Sequence, residues 1–308
     1  VKRAFITGVS GFVGRHMSAE LQVRGWAVDG CDTRRGSNGI VLPEDDALWH
    51  FVHNTTRYDL VVHCAAVEPH RAAIDARPMN LAANLHLDAA MFDWAARTKQ
   101  HKVLYLSSSA AYPIYKQSHR YVEYMRTRAQ GRLLEADINV GSPDAPDGHY
   151  GWTKLTGERI AGAANECGVA TYVVRPFSGY GEDQGEDWPF GAFIARAVRQ
   201  ENPFVIWGSG EQVRDWIHIS DVVNGALAVV DADDRRPVNL GTGVGTSMAK
   251  LARMVCGVAD PYGKYKPWFK ALPDKPAGVD YRVAHVARMN EHYTAKVSIE
   301  EGIRRALA

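Results

Sequence analysis

No stretch of this 308-residue sequence comes near the ~18 consecutive apolar residues that a membrane-spanning helix needs, which argues against insertion in a bilayer. Charge of neither sign is in excess: 36 Lys and Arg stand against 35 Asp and Glu, for a formal net charge of +1. A chain so balanced has no general electrostatic reason to bind nucleic acid or an anionic lipid surface. Cysteine is scarce, and Cys31, Cys64, Cys167 and Cys256 are widely scattered with no C-x-x-C pair. That excludes the usual zinc and disulfide frameworks and leaves the four as small, buried apolar residues. Internal repeats and low-complexity tracts are missing too. The first residues enter an apolar strand pattern rather than a signal sequence, so the expectation is a cytoplasmic protein without a metal, membrane or nucleic-acid partner.

What is present is organised around Ala4 to Gly14, A-F-I-T-G-V-S-G-F-V-G. Ala4, Phe5 and Ile6 form a short apolar run that reads as a buried strand. Past the turn, Phe12, Val13, Met17 and Leu21 recur at helical spacing as far as Gly25, a C-cap candidate. Gly8, Gly11 and Gly14 lie between strand and helix. Gly8 permits a tight turn, Gly11 lets the backbone approach a pyrophosphate, and Gly14 lets the helix lie close on the strand. The free amides where Phe12 and Val13 open the helix then face the phosphates. Trp26 to Cys31 reads as a second strand, with Asp32 at its end following Gly8 by roughly the 20 residues usual for such motifs. A carboxylate there can accept hydrogen bonds from an adenosine ribose, so the stretch reads as a dinucleotide site. Asp32 favours NAD because it would repel a 2′-phosphate; Arg34 and Arg35, in the polar turn that follows, keep NADP open.

Asp59 to Ala66, D-L-V-V-H-C-A-A, is nearly continuous in apolar residues, the pattern of a parallel strand buried on both faces. The small Ala65 and Ala66 at its end leave room for the cofactor. A helix is predicted from about Ala72 to Arg97, with Leu81, Leu85, Ala89, Phe92 and Ala96 as its apolar stripe. Val103 to Leu106 is another buried strand, and it runs into Ser107, Ser108 and Ser109. The alternation predicts an α/β fold, a doubly wound parallel sheet of the Rossmann type. Residues 1–177 are expected to form this dinucleotide-binding domain. Residues 178–308, where the apolar rhythm becomes irregular, are expected to form mainly a smaller C-terminal substrate-binding domain, with 215–245 returning to the sheet. Tyr150 and Lys154, in Y-G-W-T-K, share one face of a helix that continues to about Cys167. A cation beside a phenol favours the phenolate, so Tyr150 can act as a general acid or base well below the pKa of ~10 of free tyrosine.

Taken together, T-G-V-S-G-F-V-G, S-S-S-A-A-Y-P and Y-G-W-T-K make the chain resemble an extended short-chain dehydrogenase/reductase of the nucleotide-sugar epimerase and dehydratase type. Further matching stretches are Val62 to Ala66, R-P-F-S-G-Y-G from Arg175, R-D-W-I-H-I-S-D from Arg214, N-L-G-T-G from Asn239, and the late Arg282. The resemblance implies that Ser108, Tyr150 and Lys154 are catalytic, with Ser108 marked by its place before Tyr112 and Ser109 the alternative in register. Lys154 would also hold the nicotinamide ribose. Arg214 and Arg282 would clamp a sugar-nucleotide pyrophosphate in the bidentate manner arginine offers phosphate. Ser109, Ser178 and Trp207 are placed against substrate by the same resemblance, while His218 and Asp221 read as structural. It further implies a homodimer formed through the helices near 72–97 and 150–167.

Departures from the family pattern narrow the chemistry. The 4,6-dehydratases carry Thr-Asp-Glu where this chain has Ser108, Ser109 and Ala110. The Y-P ending of the serine segment and W-G-S-G at Trp207 resemble the GDP-mannose 3,5-epimerase and GDP-fucose synthase branch, whose cysteine before the tyrosine is here Ala110. What stays is redox chemistry at a single carbinol. The expectation is an NAD-dependent nucleotide-sugar epimerase acting at C4 through a transient keto-sugar. The alternatives are an NADPH-dependent keto-sugar reductase or 3,5-epimerase-reductase of the GDP-sugar type, and a non-catalytic NAD(P)-binding regulatory protein. An insertion from about Pro113 to Arg132 holds Lys116, Arg120, Arg126, Arg128 and Arg132 against Glu123, and reads as a lid over an anionic substrate, a solvated surface helix or a dimer contact.

Overall fold

The computed structural model describes residues 1–32, 47–67, 78–126, 131–139, 141 and 143–308. In chain order its strands are β1 (Arg3–Thr7), β2 (Ala27–Cys31), β3 (Leu60–His63), β4 (Lys102–Leu106), β5 (Ala170–Pro176), β6 (Ser178–Tyr180), β7 (Phe204–Trp207), β8 (Val213–His218), β9 (Val238–Leu240), β10 (Gly245–Ser247), β11 (Phe269–Leu272) and β12 (Tyr281–Arg282). Its helices are α1 (Phe12–Val23), α2 (Ala47–His53), α3 (Asn80–Arg97), α4 (His119–Arg126), α5 (Gly148–Glu166), α6 (Pro189–Val198), α7 (Ile219–Asp231), α8 (Met248–Ala259), α9 (Ala287–Asn290) and α10 (Ile299–Leu307). Among the described residues, no helix is long and apolar enough to cross a membrane.

The central sheet is parallel and runs β2-β1-β3-β4-β5-β9. Because side chains alternate along a strand, each strand feeds two cores. Ala4, Ile6, Leu60, Val62, Leu104 and Val174 pack with Met17 and Leu21 of α1 and Val222 and Ala226 of α7. The intervening Phe5, Val61, Val103, Tyr105 and Val173 pack on the opposite face with Met91, Phe92 and Ala95 of α3 and Ala161 and Ala164 of α5. This is the doubly wound arrangement expected from the continuous apolar runs.

One detail of the pattern differs. The buried residues of α3 are Asn84, Asp88, Met91, Phe92, Trp94 and Ala95, whereas Leu81 and Leu85 are half-buried and Ala89 is exposed. Two polar residues occupy the core-facing line because each finds partners there. Asn84 bonds both the amide and the carbonyl of Val67, at 2.7 and 3.0 Å, and Asp88 meets His63 and Tyr105. Of the four cysteines expected to be buried, Cys31 and Cys256 are, Cys64 is half-buried past the end of β3, and Cys167 is exposed where α5 gives way to the turn at Gly168.

Elsewhere, β8 pairs with β6, β10 and β12, and β7 pairs with β11. A separate core gathers Tyr180, Phe190, Phe204, Trp216, Leu251 and Ile303. The insertion is stitched to the body at both ends. The Ile114 amide donates to Ala145, Leu133 exchanges backbone hydrogen bonds with Val283 and His285, and Lys116 pairs with Asp137 at 2.5 Å. Arg128 lies outside the described residues, as do Arg34 and Arg35.

Candidate active site

The strand order reverses between β1 and β3, since the chain passes from β1 outward to β2 and then returns to β3 on the other side. A crevice opens at such a point beyond the strand ends. Gly8 has φ +70°, and a Cβ there would stand 2.8 Å from the backbone of Ala65, just past β3. A Cβ on Gly14 would stand 2.0 Å from the Gly8 carbonyl oxygen, so helix and turn meet only with glycine at both positions. Gly11 caps α1 in extended conformation, which leaves the amides of Phe12 and Val13 at the open end of the helix. Asp32 lies past the end of β2, and one of its carboxylate oxygens accepts the Ser10 amide of the turn at 2.9 Å. The Ala65 amide donates to the Thr7 hydroxyl at 3.2 Å, with Ala66 following.

Beside this cradle, β4 runs into the serine segment. Ser108 is half-buried, and its hydroxyl oxygen accepts the Ala110 amide at 3.1 Å to cap a single tight turn over Ser109–Ala111. Its neighbours point elsewhere. The Ser107 hydroxyl donates to Glu158 at 2.5 Å, and Ser109 is buried. Tyr150 and Lys154 stand in the first turns of α5, with the Lys154 Nζ 5.7 Å from the centre of the Tyr150 ring. That nitrogen donates to the Leu106 carbonyl at 2.9 Å, which fixes it at the end of β4 next to the serines.

Beneath the site lies a polar layer that joins residues of three separate motifs, Tyr112, Arg175 and Asn239, to Glu158. Arg175 grips Glu158 with two hydrogen bonds of 2.9 and 2.7 Å, both side chains being fully buried. It also donates to Tyr112 and to the Glu135 carbonyl, and Tyr112 in turn donates to Asn239 at 2.7 Å. Burial works against the Arg175 charge, yet Glu158 and Tyr112 more than offset it and hold the guanidinium protonated. His63, Asp88 and Tyr105 form a second such group. Polar side chains on otherwise apolar strands and stripes were the available signal for both groups.

Arg214 and Arg282 are brought together as register partners on β8 and β12. Each is engaged with protein acceptors. Arg214 donates to the carbonyls of Val213 and Ala277, and Arg282 donates to Gln117 and pairs with Asp147 at 2.6 Å. Asp147 directly precedes α5, so Arg282 joins the insertion to the helix that bears Tyr150. Ser178 opens β6 opposite Trp216, while Trp207 ends β7 exposed, with Lys275 over its ring. His218 meets Ser220 and Glu182, and Asp221 accepts from Tyr293 and two backbone amides.

A sequence profile described as the NAD dependent epimerase/dehydratase family matches residues 4–241, from β1 through β9. The chain belongs to that family. Its members act with NAD, and the cofactor of this one is NAD. The glycine cradle that no Cβ could enter and the carboxylate of Asp32 beside the turn are what such a dinucleotide requires. Among curated relatives in this family, the dTDP-4-dehydro-6-deoxy-D-allose reductase of Streptomyces bikiniensis is 25% identical, over 94% of this chain and 90% of the relative. The GDP-mannose 3,5-epimerase 1 of Oryza sativa subsp. indica is also 25% identical, over 84% of this chain and 69% of its own. Among solved structures, MoeE5 in complex with UDP-glucose and NAD superposes with a TM-score of 0.80 at 25% identity, covering 99% of this chain and 97% of MoeE5.

Proposed function

We propose that this family member is an NAD-dependent nucleotide-sugar epimerase that inverts C4 of the hexose through a keto-sugar. The observation that carries the reading is how few acid–base groups stand at the end of β4. Ser108 offers a hydroxyl there, Ser107 is committed to Glu158, Ser109 is buried, and Ala110 and Ala111 follow. Neither the acid and base that eliminate water nor a thiol that moves a carbon-bound proton stands in this segment. Chemistry at one carbinol needs neither.

In this reading Tyr150, as phenolate, takes the proton from the C4 hydroxyl. Ser108 shares a hydrogen bond with the same oxygen as it becomes a carbonyl. Lys154, held to the Leu106 carbonyl, keeps a positive charge beside Tyr150 and so favours its ionised form. Bound NAD supplies the acceptor and then the donor of hydride. After the sugar presents its other face, Tyr150 returns the proton to the oxygen. The nucleotide-sugar substrate is supported by the names of the relatives, and C4 by the 4-dehydro sugar in one of those names. Asp32, which repels a 2′-phosphate, favours a retained NAD over a consumed NADPH. The reductase among the relatives favours a second reading, net reduction of a 4-keto-sugar.

A panel of UDP-, GDP-, dTDP- and ADP-sugars, followed by nicotinamide absorbance and product chromatography, separates the two. A new C4 epimer without net cofactor change supports the epimerase; stoichiometric loss of NADPH with a keto-sugar establishes the reductase. Tyr150→Phe should lower turnover by about 10²- to 10⁴-fold with NAD binding kept, and full residual activity would overturn either reading.

A further inference from the structure

Lys154 is a cation almost closed to water, at 4% exposure. Burying an ammonium is costly unless a negative charge answers it. The ionisable groups around it can be taken element by element. On α5 itself, Tyr150 is its proposed working partner and Glu158 is committed to Arg175 and Ser107. From β4, the Tyr105 ring lies 5.2 Å from Nζ. Past the end of β3, burial pushes the Cys64 thiol up to about 12 against the pull of the Lys154 charge, so it stays neutral. From α3 comes Asp88.

Asp88 sits at the centre of a built row. Thr7, His63 and Tyr105 are register partners across β1, β3 and β4, so their side chains stand side by side on the face covered by α3 and α5. Asp88 comes down from α3 onto that row, with one oxygen 3.0 Å from the His63 Nε2 and the other accepting the Tyr105 hydroxyl at 2.6 Å. A carboxylate only accepts, so the Nε2–H donates to it. The His63 Nδ1 is then left to accept the Thr7 hydroxyl, 2.7 Å away. All donors of the row thus point toward one buried anion. On α5, a Cβ at Gly157 would stand 1.9 Å from the Tyr105 hydroxyl and 2.6 Å from Asp88, so glycine lets the helix settle on the pair one turn beyond Lys154.

We propose that Asp88 is a positioning residue, the buried counter-charge that holds the Lys154 ammonium in place through Tyr105 and ties it to the Thr7 end of the cofactor cradle. This rests on the reading of Tyr150 and Lys154 as the reacting pair. Burial pushes the Asp88 carboxyl up, but the hydrogen bond from His63, the Lys154 charge and the Tyr105 hydroxyl outweigh it and hold the group below the ordinary aspartate range.

The test begins without turnover. In protein labelled with ¹³C at aspartate carboxyls, the Asp88 midpoint should rise by about one pH unit in Lys154→Met. A midpoint that does not move overturns the proposal. Were Tyr150→Phe to keep full turnover, the catalytic reading would fall while this titration stood on its own. In Asp88→Asn, kcat should drop about tenfold with KM and NAD affinity within about twofold. The acid limb of its pH profile should move down by about half a pH unit, because the Lys154 charge then acts on Tyr150 without the opposing carboxylate. A purely structural residue would leave that limb where it was, and that outcome also overturns the proposal. If Asp88→Asn does not fold, the carboxyl titration decides alone.

Discussion

Glu158 and Asp215 are both carboxylates shut away from water, yet they are satisfied in opposite ways. Glu158, under the helix of Tyr150 and Lys154, faces a guanidinium with two hydrogen bonds and takes a third from Ser107. Asp215, on β8 beside Arg214, accepts from the amides of Thr242, Gly243 and Ala284 and from the Thr242 hydroxyl, at 2.6 to 3.1 Å. The first site cancels charge with charge and locks α5 to β5. The second gathers neutral dipoles, and ties the N-L-G-T-G turn and the stretch after β12 to β8. Burial pushes the Asp215 carboxyl up, and the bonds from Thr242, Ala284 and Gly243 offset only part of the rise. The ion pair thus joins the helix of Tyr150 and Lys154 to the central sheet, while the dipoles pin loops.

The contrast breaks most sharply at the ion pair. Glu158→Gln leaves the Arg175 guanidinium buried with no counter-charge, a loss of about 3–5 kcal/mol in urea unfolding. Glu158→Gln combined with Arg175→Met should be less destabilised than Glu158→Gln alone, because the unpaired charge is then gone. If instead the two losses simply add, the pair is not acting as a unit. Asp215→Asn keeps one acceptor oxygen and removes a charge that burial already penalises, so the loss should be smaller, about 1–3 kcal/mol by the same measurement. A cost equal to that of Glu158→Gln would erase the distinction drawn here.

How far these two regions could be read from sequence follows from the same physics. The glycine turn was legible because glycine has few substitutes where a Cβ would meet backbone, and because Asp32 follows directly on β2. The doubly wound sheet was legible because both faces of β1, β3 and β4 are apolar. That Tyr150 and Lys154 share one face of α5 was legible by helical spacing. The polar layers were not. His63 reads as one odd residue in a strand and Asp88 as a break in a helical stripe; their meaning comes from parallel register, which places distant strands side by side. Arg282 shows the same limit from the other side. The family resemblance set it against a substrate pyrophosphate; the structure adds Asp147 and Gln117 as protein partners, and local sequence carries no trace of that meeting.

The smallest expected effect is the most direct reading of the contrast, because it tests opposite signs in one protein. Asp88 is held below the ordinary aspartate value, so the unfolded chain takes up its proton first as pH falls. Its stabilisation is complete above about pH 3.9, the unfolded value, and drains away below it. Asp215 is held above that value, so the folded chain takes up the proton first. Its penalty is absent at low pH and grows as pH rises from about 3.9 through the folded value. Stability measured by urea unfolding against pH should therefore flatten above about pH 4 in Asp215→Asn, and below about pH 4 in Asp88→Asn. Curves parallel to the unmodified protein in both windows would mean that neither carboxyl titrates apart from its unfolded value, and the division between charge-matched and dipole-matched burial would fail with them.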